Sequence, residues 1–179
     1  MTLGQLLELL PLDSSLEELG RLAEISEKAE REARLERKLN EMEQEWKDQA
    51  LELTAFRDTG LQVLQGACVE ETQARLEEHC LLAHTIRSSP DVGPLQSQAE
   101  AWETKLNLIQ EALEIWVRVQ ANFLYLEPVM RSGDISVTLP SESKEFERAA
   151  DAWATLVAKI SPRRPTLELP EDPSILKLL

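Results

Sequence analysis

Two cysteines and two histidines are the residues with the greatest potential for metal or nucleophilic chemistry: Cys68, His79, Cys80 and His84. Structural zinc sites usually hold their ligands in close pairs, two to four residues apart. His79 and His84 lie five positions apart, about 140° around a helix axis, so their side chains should point apart. No glycine turn that could bind an oxyanion accompanies the cysteine–histidine pair. We therefore predict neither a metal site nor a nucleophile here, and interpret Cys80 as a small buried apolar residue.

Phosphate binding and carboxylate catalysis have equally little support. No glycine precedes a lysine, as a phosphate-binding loop requires. Glu41, Glu43, Glu45 and Asp48 form an acidic run, but charge runs on helices are usually solvated. Neither histidine follows a glutamate by three positions, the spacing found in di-metal helix bundles. The sequence therefore predicts no catalytic residue, no metal and no cofactor.

Composition limits the partners that the chain could bind. The 179 residues include 19 Lys+Arg and 33 Asp+Glu, which gives a net charge of −14. That charge repels phosphate backbones and anionic lipid, so we predict no nucleic-acid partner and no membrane partner. No apolar run approaches the roughly 18 residues that span a bilayer, and the apolar start lacks a basic region. We expect a cytoplasmic protein with reduced cysteines.

Hydrophobic periodicity predicts an all-α fold, an elongated bundle of long helices. Residues 15–50 are predicted to form one long helix or two collinear ones. Leu39, Met42 and Trp46 share one face of it, while the first half is either solvated or awaits a partner. A coiled-coil seam there has poor heptads. Alternating apolar residues on both sides of Gly60 predict one small β-hairpin near 51–65. The other predicted helices cover residues 3–10, 69–86, 95–128 and 140–160.

The second half of the chain should contribute two of the main core stripes, one in each of the helices predicted over 95–128 and 140–160. Trp102 and Trp116 lie fourteen residues apart on one helix face, and core packing is the simplest interpretation. We expect Pro128 to end that helix and 129–139 to form a connector. Four prolines predict a solvated, extended segment over 162–173, and 174–179 looks like the beginning of another helix.

A series of motifs in fixed order resembles the linker-proximal tail of dynein heavy chains, and it covers about 38–160. Its members are Trp46, Gly60, Trp102, Trp116, Gln120, Tyr125, Leu126, Glu127, Pro128, Asp134, Ile135, Leu139, Pro140, Phe146 and Trp153. Phe123, Met130 and Gly133 depart from the family pattern, which usually has Trp, Phe and Glu there. The chain therefore resembles a divergent member.

The resemblance implies a mechanical function. In dyneins the linker is an α-helical lever across an AAA+ ring, and it bends and straightens as the ring hydrolyses ATP. It holds no catalytic residue. The resemblance thus implies a non-catalytic element in microtubule-based movement, with the ciliary or flagellar type favoured and a location on the cytoskeleton or axoneme.

The implied partners are the remaining linker helices and AAA+ ring of the parent chain, or other dynein subunits, with only indirect microtubule contact. A stand-alone helical interaction module for dynein or axoneme assembly remains open as an alternative. Whether the transcript continues into an AAA+ region would discriminate between the two.

These patterns divide the chain into three regions. Residues 1–37 form an N-terminal helical extension, 38–160 the linker-like helical region, and 161–179 a proline-rich C-terminal tail that we expect to be truncated. Since the family continues into further linker helices, we expect part of the 146–160 stripe, or of the 102–123 face, to be uncovered.

Overall fold

The computed structural model describes residues 12–160, 165–172 and 175, except for the side chains of 12–16 and 136. In chain order the elements are α1 (Leu12–Lys47), β1 (Leu53–Phe56), β2 (Leu61–Leu64), α2 (Gly66–Arg87), α3 (Gln96–Met130), α4 (Gly133–Thr138) and α5 (Pro140–Ile160). Short 3-10 helices cover Gly93–Leu95 and Thr166–Glu171. The prediction of an all-α fold with one small hairpin is confirmed. The helix predicted over 3–10 lies outside the described residues, as does all of 174–179 except Ile175.

The two halves of α1 differ in burial. Leu39 and Trp46 in the second half are fully buried, as the sequence predicts. In the first half Leu19, Leu22 and Ile25 are each more than 60% exposed, at 62%, 62% and 64%. Among the described side chains of this helix, from residue 17 onward, those in its second half contribute to the core.

The core lies where α2 packs along α3 and where α5 and the second 3-10 helix close over them. Its largest fully buried side chains are Trp46, Trp116, Leu39, Met42, Leu76, Ile86, Leu106, Ile109, Leu113, Leu156, Ile160 and Ile175. Along α1, α3 and α5 they recur at three- and four-residue intervals, which is the spacing of one helix face.

The hairpin forms where the sequence predicts it. Strands β1 and β2 are antiparallel, with Leu53 opposite Leu64 and Phe56 opposite Leu61. Gly60 has a φ of +77°, a left-handed conformation that glycine adopts without the steric cost of a Cβ atom. An isolated two-stranded hairpin is marginally stable, so contacts with the helices must hold it.

The predicted connector over 129–139 is only partly correct. Helix α3 continues to Met130, two residues past Pro128, and Gly133–Thr138 forms the short helix α4. A proline so near the end of a helix removes only one of its last hydrogen bonds. Asp134 lies in the first turn of α4, where a carboxylate interacts favourably with the helix dipole.

The prediction of a solvated, extended segment over 162–173 is wrong for its described residues. Residues Thr166–Glu171 form a 3-10 helix in which Thr166 and Leu169 are buried. The backbone N–H of Thr166 donates to the Gln49 carbonyl at 2.8 Å, and Pro165 forms a β-bridge with Ala50. Proline tolerates both settings, because a short 3-10 helix and an isolated bridge need few backbone donors.

The expectation of an uncovered stripe is also wrong for the described residues. On α5, Trp153, Leu156 and Ile160 are buried. The buried side chains of α3 in this range include Leu106, Ile109, Leu113, Trp116 and Phe123. Trp102 and Phe146 are half-buried and pack on the same core. The second 3-10 helix supplies part of this cover, since it packs along α3.

Candidate functional site

Four aromatic side chains connect α3 to α5, and we call them the aromatic junction: Trp116, Phe123, Phe146 and Trp153. The Phe123 ring stacks on Phe146 at 5.2 Å between centroids and on Trp153 at 5.3 Å. Trp116 meets Trp153 edge-on at 6.4 Å and 80°. Offset stacking and edge-to-face contact are the favoured geometries for aromatic rings, beyond the area that they bury. Trp116 and Trp153 are 1% and 3% exposed, which confirms that they belong to the core.

The junction also holds the hairpin. Along an antiparallel pair, the backbone N–H and C=O groups of successive residues point alternately toward and away from the partner strand. In this register those of Gln62 and Leu64 point away from β1. The N–H of Leu64 donates to Gln120 Oε1 at 2.8 Å, and Gln120 Nε2 donates to the Leu64 carbonyl at 3.3 Å. Trp153 Nε1 donates to the Gln62 carbonyl at 3.0 Å. Side chains from α3 and α5 thus satisfy the outer edge of β2, which would otherwise be open.

A buried carboxylate pairs with an exposed arginine one turn beyond the junction. Glu127 is only 5% exposed, and its Oε1 lies 2.7 Å from Arg131 Nε. A buried carboxylate requires such a partner, since an unpaired charge away from water is costly. The pair therefore stabilises the last turn of α3, next to the start of α4.

The remaining family-motif residues do not gather at one place. Tyr125 is 77% exposed, and Leu126 and Leu139 are 38% and 39% exposed. Pro128 and Pro140 lie in the last turn of α3 and at the start of α5, where they are exposed along with Asp134. Ile135 is half-buried. The motif thus combines junction residues with residues on the outer surface.

A second polar contact joins α1 to α2. Trp46 Nε1 donates to His79 Nδ1 at 2.9 Å, and both side chains are buried. Burial lowers the pKa of His79 from its usual value, although Glu45 and Glu78 oppose the shift. The sequence placed Trp46 on the buried face of α1 but gave no indication of its histidine partner.

The other candidate side chains are separate from one another. His84 is exposed with Nδ1 at 3.1 Å from Glu103 Oε1, so it does point away from buried His79. Cys80 is half-buried, and burial raises the pKa of its thiol. Over the described part of the chain, no group of three or more histidines, cysteines and carboxylates is placed to hold a metal ion. None of the helices within that part is both long and apolar enough to cross a bilayer.

The fold and the site define a helical scaffold whose long helices and hairpin meet at an aromatic junction. The family model of the dynein heavy chain, N-terminal region 2, matches residues 1–179. The chain therefore belongs to the dynein heavy chain family, as its motifs predict.

Axonemal heavy chains are among the proteins to which the chain is similar. It is 37% identical to dynein axonemal heavy chain 12 of Mus musculus over 133 residues, which are 74% of this chain and 4% of the relative. It is 30% identical to dynein axonemal heavy chain 1 of Rattus norvegicus over 179 residues, 100% of this chain and 4% of the relative. It is 31% identical to dynein axonemal heavy chain 3 of Homo sapiens over 139 residues, which are 78% of this chain and 3% of the relative. The chain thus spans a small fraction of the length of these relatives.

Proposed function

We propose that this chain is a non-catalytic mechanical element of the dynein linker type, which contributes to microtubule-based movement when it is joined to an AAA+ motor. The observation that carries this proposal is the match to the dynein heavy chain N-terminal region over residues 1–179. The family-motif residues Trp116, Gln120 and Trp153 would then act by joining the helices and the hairpin rather than by chemistry.

The geometry supports transmission of force through α3. This helix has 35 residues, so at about 1.5 Å per residue it is roughly 50 Å long. At its C-terminal half Gln120 and Phe123 connect it to the hairpin and to α5. Interlocked rings and hydrogen bonds at one place resist relative movement, since packed interiors deform little.

We infer a location in the axoneme of a cilium or flagellum, because the relatives named above are axonemal heavy chains. The proposed partners are other linker helices and the AAA+ ring of a dynein heavy chain, or other dynein subunits, with indirect microtubule contact. Leu19, Leu22 and Ile25 on α1, and Tyr125 on α3, are exposed apolar side chains that such helices could cover.

We predict that the purified 179-residue chain hydrolyses ATP no faster than a buffer blank. ATP hydrolysis by P-loop ATPases uses a phosphate-binding loop with its lysine and acidic residues that hold Mg²⁺, and no glycine in this sequence precedes a lysine. Phosphate release measured with ATP and Mg²⁺ checks this. Turnover that survives further purification would contradict the non-catalytic assignment.

A chimera tests the mechanical role. The matched segment of dynein axonemal heavy chain 1 of Rattus norvegicus would be replaced by this chain, which aligns with it over all 179 residues. Microtubule gliding velocity and ATPase rate would be measured for the same protein. We expect the chimera with the unchanged chain to retain gliding. We expect a chimera that carries Gln120→Met to glide at least about twofold more slowly at a similar ATPase rate. That substitution removes both hydrogen bonds to Leu64, at a cost of about 1–3 kcal/mol, which leaves the fold intact.

The matched control is Gln96→Met, since Gln96 is an exposed glutamine on the same helix whose Nε2 donates to Glu100 Oε1 at 3.2 Å, within the helix itself. It should leave both measurements unchanged. A chimera that hydrolyses ATP but does not support gliding would contradict the linker role. If the isolated chain instead binds axonemal proteins without any motor domain, the stand-alone interaction module is favoured.

A further inference from the structure

The contact between Trp46 and His79 is unusual because a donor-only group meets a titratable acceptor inside the core. Trp46 is 0% exposed and His79 is 5% exposed, and the indole N–H donates to Nδ1 at 2.9 Å. The rings meet edge-on, with 6.0 Å between centroids. Trp46 is the last large buried side chain of α1, so this bond joins the end of α1 to α2.

The hydrogen bond fixes the protonation state of the histidine. An indole nitrogen can only donate, so His79 Nδ1 must carry a lone pair and not a proton. The neutral ring then carries its proton on Nε2, which lies 3.6 Å from Glu45 Oε2. A doubly protonated ring would place an N–H at Nδ1 against the N–H of Trp46, and neither group could accept.

The charged groups around the ring do not remove this conflict. Glu45 faces the ring from α1, while Glu78 and Arg75 act on it from α2. Glu45 lies on the Nε2 side of the ring, 3.6 Å from Nε2, so it does not replace the acceptor lost at Nδ1. Its side chain is 55% exposed, and solvent weakens its attraction for a histidinium.

We propose that His79 is an acid-sensitive lock between α1 and α2. When Nδ1 takes a proton from solvent, the Trp46–His79 hydrogen bond breaks, the charged ring is unfavourable in its buried position, and the end of α1 loosens from α2. The lock depends on the geometry of these two side chains alone and does not require the linker role.

The direction of the pH effect follows from where the two states bind protons. Burial holds the pKa of His79 in the folded chain below its usual value of 6.5. The unfolded chain therefore binds more protons than the folded chain as the pH falls below about 6.5. The stability contribution is fully present above that pH and is lost as the pH falls toward the lower, folded-state value.

Denaturant unfolding of the 179-residue chain between about pH 7.5 and about pH 5.5 measures this loss, above the range in which most carboxylates titrate. We expect the unfolding equilibrium constant to rise by up to about tenfold per pH unit at the acidic end, the limit for one proton. His79→Asn should flatten the profile, since Asn Oδ1 can still accept near the position of Nδ1 but does not titrate. The control His84→Asn removes the exposed histidine and should keep the wild-type profile.

Nuclear magnetic resonance provides a local measurement. We expect the His79 ring to carry its proton on Nε2 near neutral pH, and the Trp46 indole N–H resonance to shift with the midpoint of the His79 titration. Trp46→Phe lowers stability at every pH, but it should reduce the additional loss at acidic pH because no donor then opposes the new proton. A proton on Nδ1 near neutral pH, or a His79→Asn variant with the wild-type pH profile, would overturn the proposal.

Discussion

Replacing Trp153 or Trp116 with alanine is expected to lower the free energy of unfolding by about 3–5 kcal/mol, the range for removing a large aromatic side chain from a core. Both are almost fully buried and face each other across α3 and α5. Loss of Trp153 also removes the donor to the Gln62 carbonyl and the ring that stacks on Phe123. Chemical denaturation of the two variants beside the wild-type chain measures the effect.

The control for this experiment is Tyr125→Ala. Tyr125 is an aromatic residue on α3, the helix of Trp116, and it is 77% exposed. Its substitution should change stability by no more than about 0.5 kcal/mol. If the tryptophan variants unfold at the wild-type denaturant concentration and lose only partner binding, the tryptophans are docking residues. That result would count against a structural junction.

The elements that the sequence predicted correctly depend on local signals. Helical periodicity placed Leu39, Met42 and Trp46 on one buried face, and the structure buries all three. Gly60 predicted the hairpin turn because glycine adopts a positive φ without steric cost, and that property belongs to the residue itself. Such signals are present within a few residues of chain, so they can be recognised without knowledge of tertiary structure.

The contacts that assemble the site connect distant parts of the chain. Gln120 bonds to a backbone 56 residues away, and Trp46 bonds to a histidine 33 residues away. Periodicity predicts that a tryptophan is buried, but it does not predict which acceptor its N–H meets. Gln120 is half-buried and His79 is buried, and nothing in the residue type or spacing of either one identifies its partner.

The proline-rich tail shows where composition misleads. Its prolines are typical of a solvated segment, yet Leu169 is 2% exposed and Thr166 is 1% exposed. Lys105 of α3 lies 2.7 Å from Glu171, and Lys159 of α5 lies 3.6 Å from Asp172. Burial of a few apolar side chains therefore decides the structure of this segment, and proline only limits which backbone conformation it adopts.

Removing residues 162–179 is expected to lower the free energy of unfolding by about 3–6 kcal/mol. Leu169 and Ile175 are fully buried, and full burial of each such side chain contributes about 1.5–3 kcal/mol. The deletion also exposes the surface of α3 that the second 3-10 helix covers and removes the hydrogen bond to the Gln49 carbonyl. A loss of this size is a large part of the roughly 5–15 kcal/mol typical of a folded domain. Melting temperatures of the two chains, measured side by side, check this prediction.

Two further measurements separate the packing of the tail from other effects of truncation. Leu169→Ala in the full chain should account for at least about 2 kcal/mol of the loss, since it removes one buried side chain and keeps the ion pairs. A synthetic peptide of residues 162–179, added to the shortened chain, should raise its melting temperature in proportion to occupancy, because a ligand that binds only the folded state stabilises it. Equal melting temperatures for the full and shortened chains would show that α1, α2, α3 and α5 close the core without the tail. In that case the buried positions of Leu169 and Ile175 contribute nothing to stability, and the packing of the tail is not needed for the fold.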